Sequence, residues 1–96
     1  MIKISEIQPN QGKINVELEL ISVEPIKEFE KFGKQLKLAS ALAKDDSGEI
    51  KMSFWNADAE KVKAGQKIKI TNGYCSEFKG EKQLSTGKFG SMEILE

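Results

Sequence analysis

Alternation of apolar and polar positions governs most of the chain. Ile14, Val16, Leu18 and Leu20 alternate with Asn15, Glu17 and Glu19, the clearest period of two in the sequence, and predict a long strand buried on one face. Pro25 marks a break or an edge position, and residues 26–31 are expected to continue as a bent extension of the same strand. Phe32-Gly33-Lys34 reads as a tight connection into a second strand over 35–44, rich in alanine and leucine. There Leu36, Leu38 and Leu42 share one parity and Lys37 takes the other. Asp45-Asp46-Ser47-Gly48 is a turn signal. The third strand, from Glu49, puts Ile50, Met52 and Phe54 on one face and Lys51 and Ser53 on the other. Trp55, the sole tryptophan, lands on the polar face and breaks the rule.

The remaining elements are shorter. Ser5-Glu6-Ile7-Gln8 has capping-box spacing ahead of Pro9 and suggests a single helical turn. Asn56 reads as the N-cap of a short helix over 57–64, with Val62 facing inward and Gly65 as the C-terminal stop. A fourth strand carries Ile68 and Ile70, passes Asn72-Gly73 and runs to Phe78. Lys79-Gly80-Glu81-Lys82 turns the chain into a fifth strand over 83–86, and Met92-Glu93-Ile94 is expected to pack back onto the body. Five strands with a helix between the third and fourth give the order of an all-β OB-fold barrel. A small SH3-like barrel competes, and the capped helix at that one position favours the OB fold. Residues 1–96 read as a single domain.

Composition narrows the chemistry. Ordinary globular proportions, 39% hydrophobic and 31% charged, exclude a disordered chain, and no apolar run approaches a membrane span. The N-terminus MIKISEIQ lacks the apolar core of a signal peptide, so an intracellular, cytoplasmic protein is expected. There is no histidine, which removes histidine-dependent triads and metal sites, and the single cysteine, Cys75, excludes an internal disulfide. No enzymatic role, metal or cofactor is expected. Fifteen lysines and no arginine balance fifteen carboxylates, against a strongly basic domain and against bidentate reading of guanine.

A locally basic groove remains open. Tyr74 and Phe78 stand four residues apart, and Gly73 is the natural place for a bulge that turns Tyr74 outward. Phe78 sits at the mouth of the hairpin joining the fourth and fifth strands, which with the outer face of strands two and three forms the OB ligand groove. Lys51 shares the outer face with Trp55, Lys79 and Lys82 flank Phe78, Lys37 lies opposite the leucines, and Phe32 with Lys34 occupies a loop near the groove. Phe29, Phe32 and Phe89 are assigned mainly to structure. Aromatic rings interleaved with lysines suit single-stranded nucleic acid: bases stack and ammonium groups follow the phosphates. Three stacked bases offer about 3–9 kcal/mol against the ~8 kcal/mol of a micromolar complex. On pattern alone, packing and binding are equally good readings of Trp55.

The sequence also resembles a known family. Lys3-Ile4-Ser5-Glu6-Ile7 with Pro9 and Gly12, the stretch Asp46-Ser47-Gly48-Glu49-Ile50-Lys51-Met52-Ser53-Phe54-Trp55-Asn56, Ala64-Gly65-Gln66, and Asn72-Gly73-Tyr74 to Phe78-Lys79-Gly80 with Gln83-Leu84 look like the OB domains of archaeal replication protein A and single-stranded DNA-binding proteins. The resemblance covers nearly the whole chain. It implies that Trp55, Tyr74 and Phe78 stack on bases and that the ligand is single-stranded DNA, in replication, recombination or repair. It also implies other OB-fold subunits or domains as partners, within a longer multi-domain protein in many members. Members often carry arginine after the first strand, where this chain has Lys27, Lys31 and Lys34. An RNA- or tRNA-binding OB module and a protein-interaction OB domain are the alternatives.

Overall fold

A computed structural model describes residues 1–86 and 90–95; Phe89 lies outside the described residues. Seven strands and one short helix follow a 3₁₀ turn at Ile4–Glu6: β1 (Ile14–Val23), β2 (Lys27–Lys31), β3 (Lys34–Asp45), β4 (Gly48–Trp55), α1 (Ala57–Lys61), β5 (Lys67–Phe78), β6 (Glu81–Ser85) and β7 (Ser91–Ile94). β1, β3, β4, β6 and β5 form a ring, because β1 pairs with both β3 and β5; the β4–β6 pairing is parallel. A register shift between Leu20 and Ser22 lets β1 leave β5 along its first half and join β3 along its second. The five expected strands and the helix are thus present. β2 and β7 are additions: residues 27–31 form a strand of their own on β3, and the tail pairs with β5 from Ile68↔Ile94 to Thr71↔Ser91.

The core reverses the facing implied by setting Lys37 on the groove side, opposite the leucines. Ala39, Ala41 and Ala43 face inward, while Leu36, Leu38 and Leu42 lie on the outer face, half buried. The reason is volume. On β4 the inward residues are Phe54, Met52 and Ile50, and the β3–β4 register sets Ala39↔Phe54, Ala41↔Met52 and Ala43↔Ile50. A small ring filled by large side chains from β4 needs methyl groups opposite them on β3, so the leucines are the ones turned out.

Other local readings move by a residue or two. The N-terminal box closes at Lys3, whose N–H donates to Glu6 Oε1 (2.9 Å), rather than at Ser5. Asn56 precedes the helix, at φ 55°, but its side chain does not cap it. Its Oδ1 accepts from Lys37 N (3.3 Å) and its own N–H donates to Lys37 O (2.8 Å), closing the end of the β3–β4 ladder. α1 ends at Lys61 rather than 64, with Val62 buried beyond it. Asp45 clamps the N-terminal turn. Its burial alone would raise the carboxyl pKa, but donors from Ser47 Oγ and the N–H groups of Ile4, Ser47 and Gly48 outweigh that and hold it below the usual value. Its stabilisation is present above the unfolded carboxylate range and is lost as pH falls below about 4. Among the described residues, no helix is long and apolar enough to cross a membrane.

The expected bulge on β5 is present, one residue early. Pairing shifts from Val16↔Ile70 to Ile14↔Gly73, and Asn72 takes the left-handed conformation (φ 56°). Before it Ile68 and Ile70 point inward; after it Gly73 and Cys75 do, and Tyr74 is turned out. Gly73 is required for contact rather than for φ: a Cβ there would stand 2.6 Å from Ile70 Cγ2 and 3.0 Å from Ser85 O. Gly73→Ala is therefore expected to lower stability by about 1–3 kcal/mol, measured by urea unfolding.

Candidate nucleic-acid interface

The outer face of β3 and β4 is built by register. Leu38 pairs with Trp55, Ser40 with Ser53 and Leu42 with Lys51, so all six side chains share one surface. β6 continues it through Lys51↔Gln83 and Ser53↔Ser85, and β5 through Ser85↔Tyr74. A lateral row of Ser40, Ser53, Ser85 and Tyr74 thus crosses four strands beside Trp55. Small hydroxyl residues floor the row, which leaves room above them between the flanking rings. Next to the row lies an open depression of about 400 Å³ lined by Ser22, Glu24, Ser40, Ser53 and Gln83, together with Leu42 and Lys51.

Two hairpins rise at the ends of this face. The first joins β2 to β3 through Phe32 (φ 53°) and Gly33 (φ 74°), and the second joins β5 to β6 through Lys79 (φ 52°) and Gly80 (φ 80°). Positive φ at both central positions is the type I′ geometry that suits the twist of two-residue hairpins. The rings are open to solvent: Trp55 is 40% exposed, Tyr74 42%, Phe78 58% and Phe32 92%. Lys31 Nζ lies 5.5 Å from the Phe32 ring centre and Lys79 Nζ 5.4 Å from that of Phe78.

Phe29 belongs to the same surface. It pairs with Leu36, the neighbour of the Leu38–Trp55 pair, and meets Trp55 edge to face with ring centres 6.0 Å apart. The contact orients the indole without covering it. Sequence reading set Phe29 aside as structural; its place became visible only with the β2–β3 register.

That register also sorts charge. Lys27, Phe29 and Lys31 of β2 face the same way as Lys34, Leu36 and Leu38 of β3, whereas Glu28 and Glu30 point to the opposite side. None of Lys27, Lys31, Lys34 and Lys79 has a carboxylate within 4.0 Å among the described residues. Other expected lysines are placed differently. Lys37 has the parity of the inward alanines and is bound to Glu60 of α1 and to Glu28 (3.8 Å), away from Trp55. The hydrogen bond and charge of Glu60 raise the Lys37 pKa, and those of Lys37 lower that of Glu60. Lys82 has the parity of buried Leu84 and donates to the Ile7 carbonyl (2.6 Å), tying β6 to the N-terminal segment. Lys51 and Ser53 lie on the face as expected, but Lys51 is paired with Glu81 of β6.

Residues 7–94 match the family model described as "Single-stranded DNA binding protein Ssb-like, OB fold". The chain belongs to this family. It is 27% identical over 85 residues to the single-stranded DNA binding protein Ssb of Saccharolobus solfataricus, a match that takes in 88% of this chain and 57% of that protein. The chain thus spans little more than half the length of that relative. Among solved structures, the second OB-fold domain of replication protein A from Methanococcus maripaludis is 31% identical, with a TM-score of 0.81 over 99% of this chain and 94% of that one. The replication factor A related protein of Methanobacterium thermoautotrophicum shares the fold at 24% identity, with a TM-score of 0.81 over 100% of this chain and 91% of that one.

Within this Ssb-like domain, Phe32 is, among the described residues, the most exposed aromatic and the one with the least favourable backbone. A bulky residue in the left-handed region costs about 1–2 kcal/mol, and Asn-Gly is the preferred pair for this turn. Phe32→Asn should raise stability by up to about 1 kcal/mol in thermal melts while weakening ligand binding, so the two effects move in opposite directions.

Proposed function

We propose that this domain binds single-stranded DNA with little sequence preference, in replication, recombination or repair. The strand lies on the outer face of β3 and β4, with bases stacked on Trp55, Tyr74 and Phe78. The observation that carries this reading is the convergence of these exposed rings and four lysines free of ion pairs on one face flanked by two hairpins. A group of exposed rings on one surface marks a binding site, and hydrated ammonium groups beside it suit the phosphates of a single-stranded nucleic acid whose bases stack on the rings. Phe29 holds Trp55 in place, and Phe32 extends the stacking surface onto the first hairpin. Lys27, Lys31, Lys34 and Lys79 follow the backbone. Lys37 and Lys82 are assigned to the fold instead, because carboxylates and a carbonyl already hold them.

Membership in a family described as single-stranded DNA binding supports the reading, as does likeness to a replication protein A domain. The absence of arginine supports sequence tolerance, since the side chain most used for bidentate reading of guanine is missing.

Trp55 is the only tryptophan, so its fluorescence reports on the proposed site alone. Titration with oligo-dT should quench it with a micromolar dissociation constant at low salt, and Trp55→Ala, which removes this reporter, should weaken binding roughly 5- to 150-fold when followed by the anisotropy of a labelled oligo-dT. Four lysine–phosphate contacts predict a slope of log K against log salt near −3. No quenching at low salt with tens of micromolar protein would reject the reading.

A further inference from the structure

The proposed path from Trp55 to Phe78 is crossed by an ion pair. The depression beside Ser40 and Ser53 ends at Leu42 and Lys51, which face each other across the β3–β4 ladder. A second depression, of about 500 Å³, begins at the same two residues and continues past Glu81 and Glu49 toward Ile4 and Ser47. Leu42 and Lys51 therefore form the ridge between the two, and from that ridge Lys51 Nζ reaches Glu81 Oε2 at 2.5 Å. Glu81 is the direct ladder partner of Phe78. A strand that runs from Trp55 along β4 and then across to Phe78 passes this contact.

We propose that Glu81 gates the path between the two halves of the face, holding the Lys51 ammonium until a phosphate of a strand long enough to reach Phe78 replaces it. The inference rests on the single-stranded DNA reading. The first half of the face carries the unpaired lysines of the β2–β3 hairpin, and its aromatic ring needs nothing from Lys51. The second half carries two carboxylates, Glu49 and Glu81, where Glu24 alone lines the depression of the first. Extending the strand across the ridge exchanges one partner of Lys51 for another and leaves the Glu81 carboxylate near a phosphate. Both members of the pair are exposed, so the exchange is easy and the gate weak, on the order of a few-fold in affinity. Short segments then bind through the Trp55 half with the pair intact, and longer ones open it.

The test compares wild type, Glu81→Gln, Lys51→Met and the double variant with oligo-dT of about four and about twelve nucleotides, read by Trp55 fluorescence. The proposal expects Glu81→Gln to tighten the longer oligonucleotide roughly 2- to 5-fold and to leave the shorter one unchanged. This gain should vanish in the Lys51→Met background. Equal tightening at both lengths, or tightening that survives Lys51→Met, would mean only that a negative charge was removed, and overturns the gate. So does unchanged binding by Glu81→Gln while the wild type binds normally. If the wild type itself fails to quench, the single-stranded DNA reading falls, and the gate with it.

Discussion

The structure depends on one packing constraint, the alanine side of β3 against the large side of β4. Phe54, Met52 and Ile50 fill the interior of a five-stranded ring, and only Ala39, Ala41 and Ala43 leave them space. Because side chains alternate with a period of two, this fixes the facing of every other residue on both strands, and a slip of one position would reverse them all. It is what turns Leu36, Leu38 and Leu42 outward to support Trp55 and floor the face. Adding a few methylenes to the alanines would overpack the ring. The outer surface therefore follows from the packing of the inner one.

This constraint explains which features were legible in the sequence. On β4 every inward residue is large and every outward one but Trp55 is polar, so the position of the tryptophan could be read directly. On β3 both parities are apolar, and preferring leucine to alanine for the interior gave the wrong face and misplaced Lys37. The outward turn of Tyr74 was readable because Asn72-Gly73 interrupts an apolar alternation, although Asn72 carries the unusual φ and Gly73 the close contact. The role of Lys82 depends on a carbonyl seventy-five positions away, and that of Phe29 on a strand pairing. No local pattern encodes contacts of that range.

Net charge was a poor guide for a related reason. The sum is zero over the chain, yet KEFEK in β2 separates its signs by alternation. Glutamates fall on the side of Lys37, and lysines on the side of Trp55. An electrostatic field acts over roughly a Debye length, about 8 Å at physiological salt, so a ligand on one face responds to that face rather than to the total. The same separation makes the two ends of the face unequal: lysines without ion pairs at the β2–β3 hairpin, and carboxylates around Lys51 toward the other end.

The hairpin tips complete the argument. Both need two consecutive residues at positive φ, and at each the glycine comes second while the first position holds a side chain ill suited to it, Phe32 in one and Lys79 in the other. Asparagine there would serve folding better, so folding alone does not account for these residues. In each hairpin an aromatic ring projects from or beside the tip with a lysine ammonium over it: Lys31 on Phe32, Lys79 on Phe78. The geometry is repeated at opposite ends of one surface by unrelated sequences, KFGK and FKGE. Lys13, away from both hairpins, shares this backbone conformation. The ring–cation pairs at the tips, rather than the strain itself, therefore fit the strand contacts proposed above, and the strain is tolerated wherever it falls. The rigid ring beneath supplies the stability that allows it.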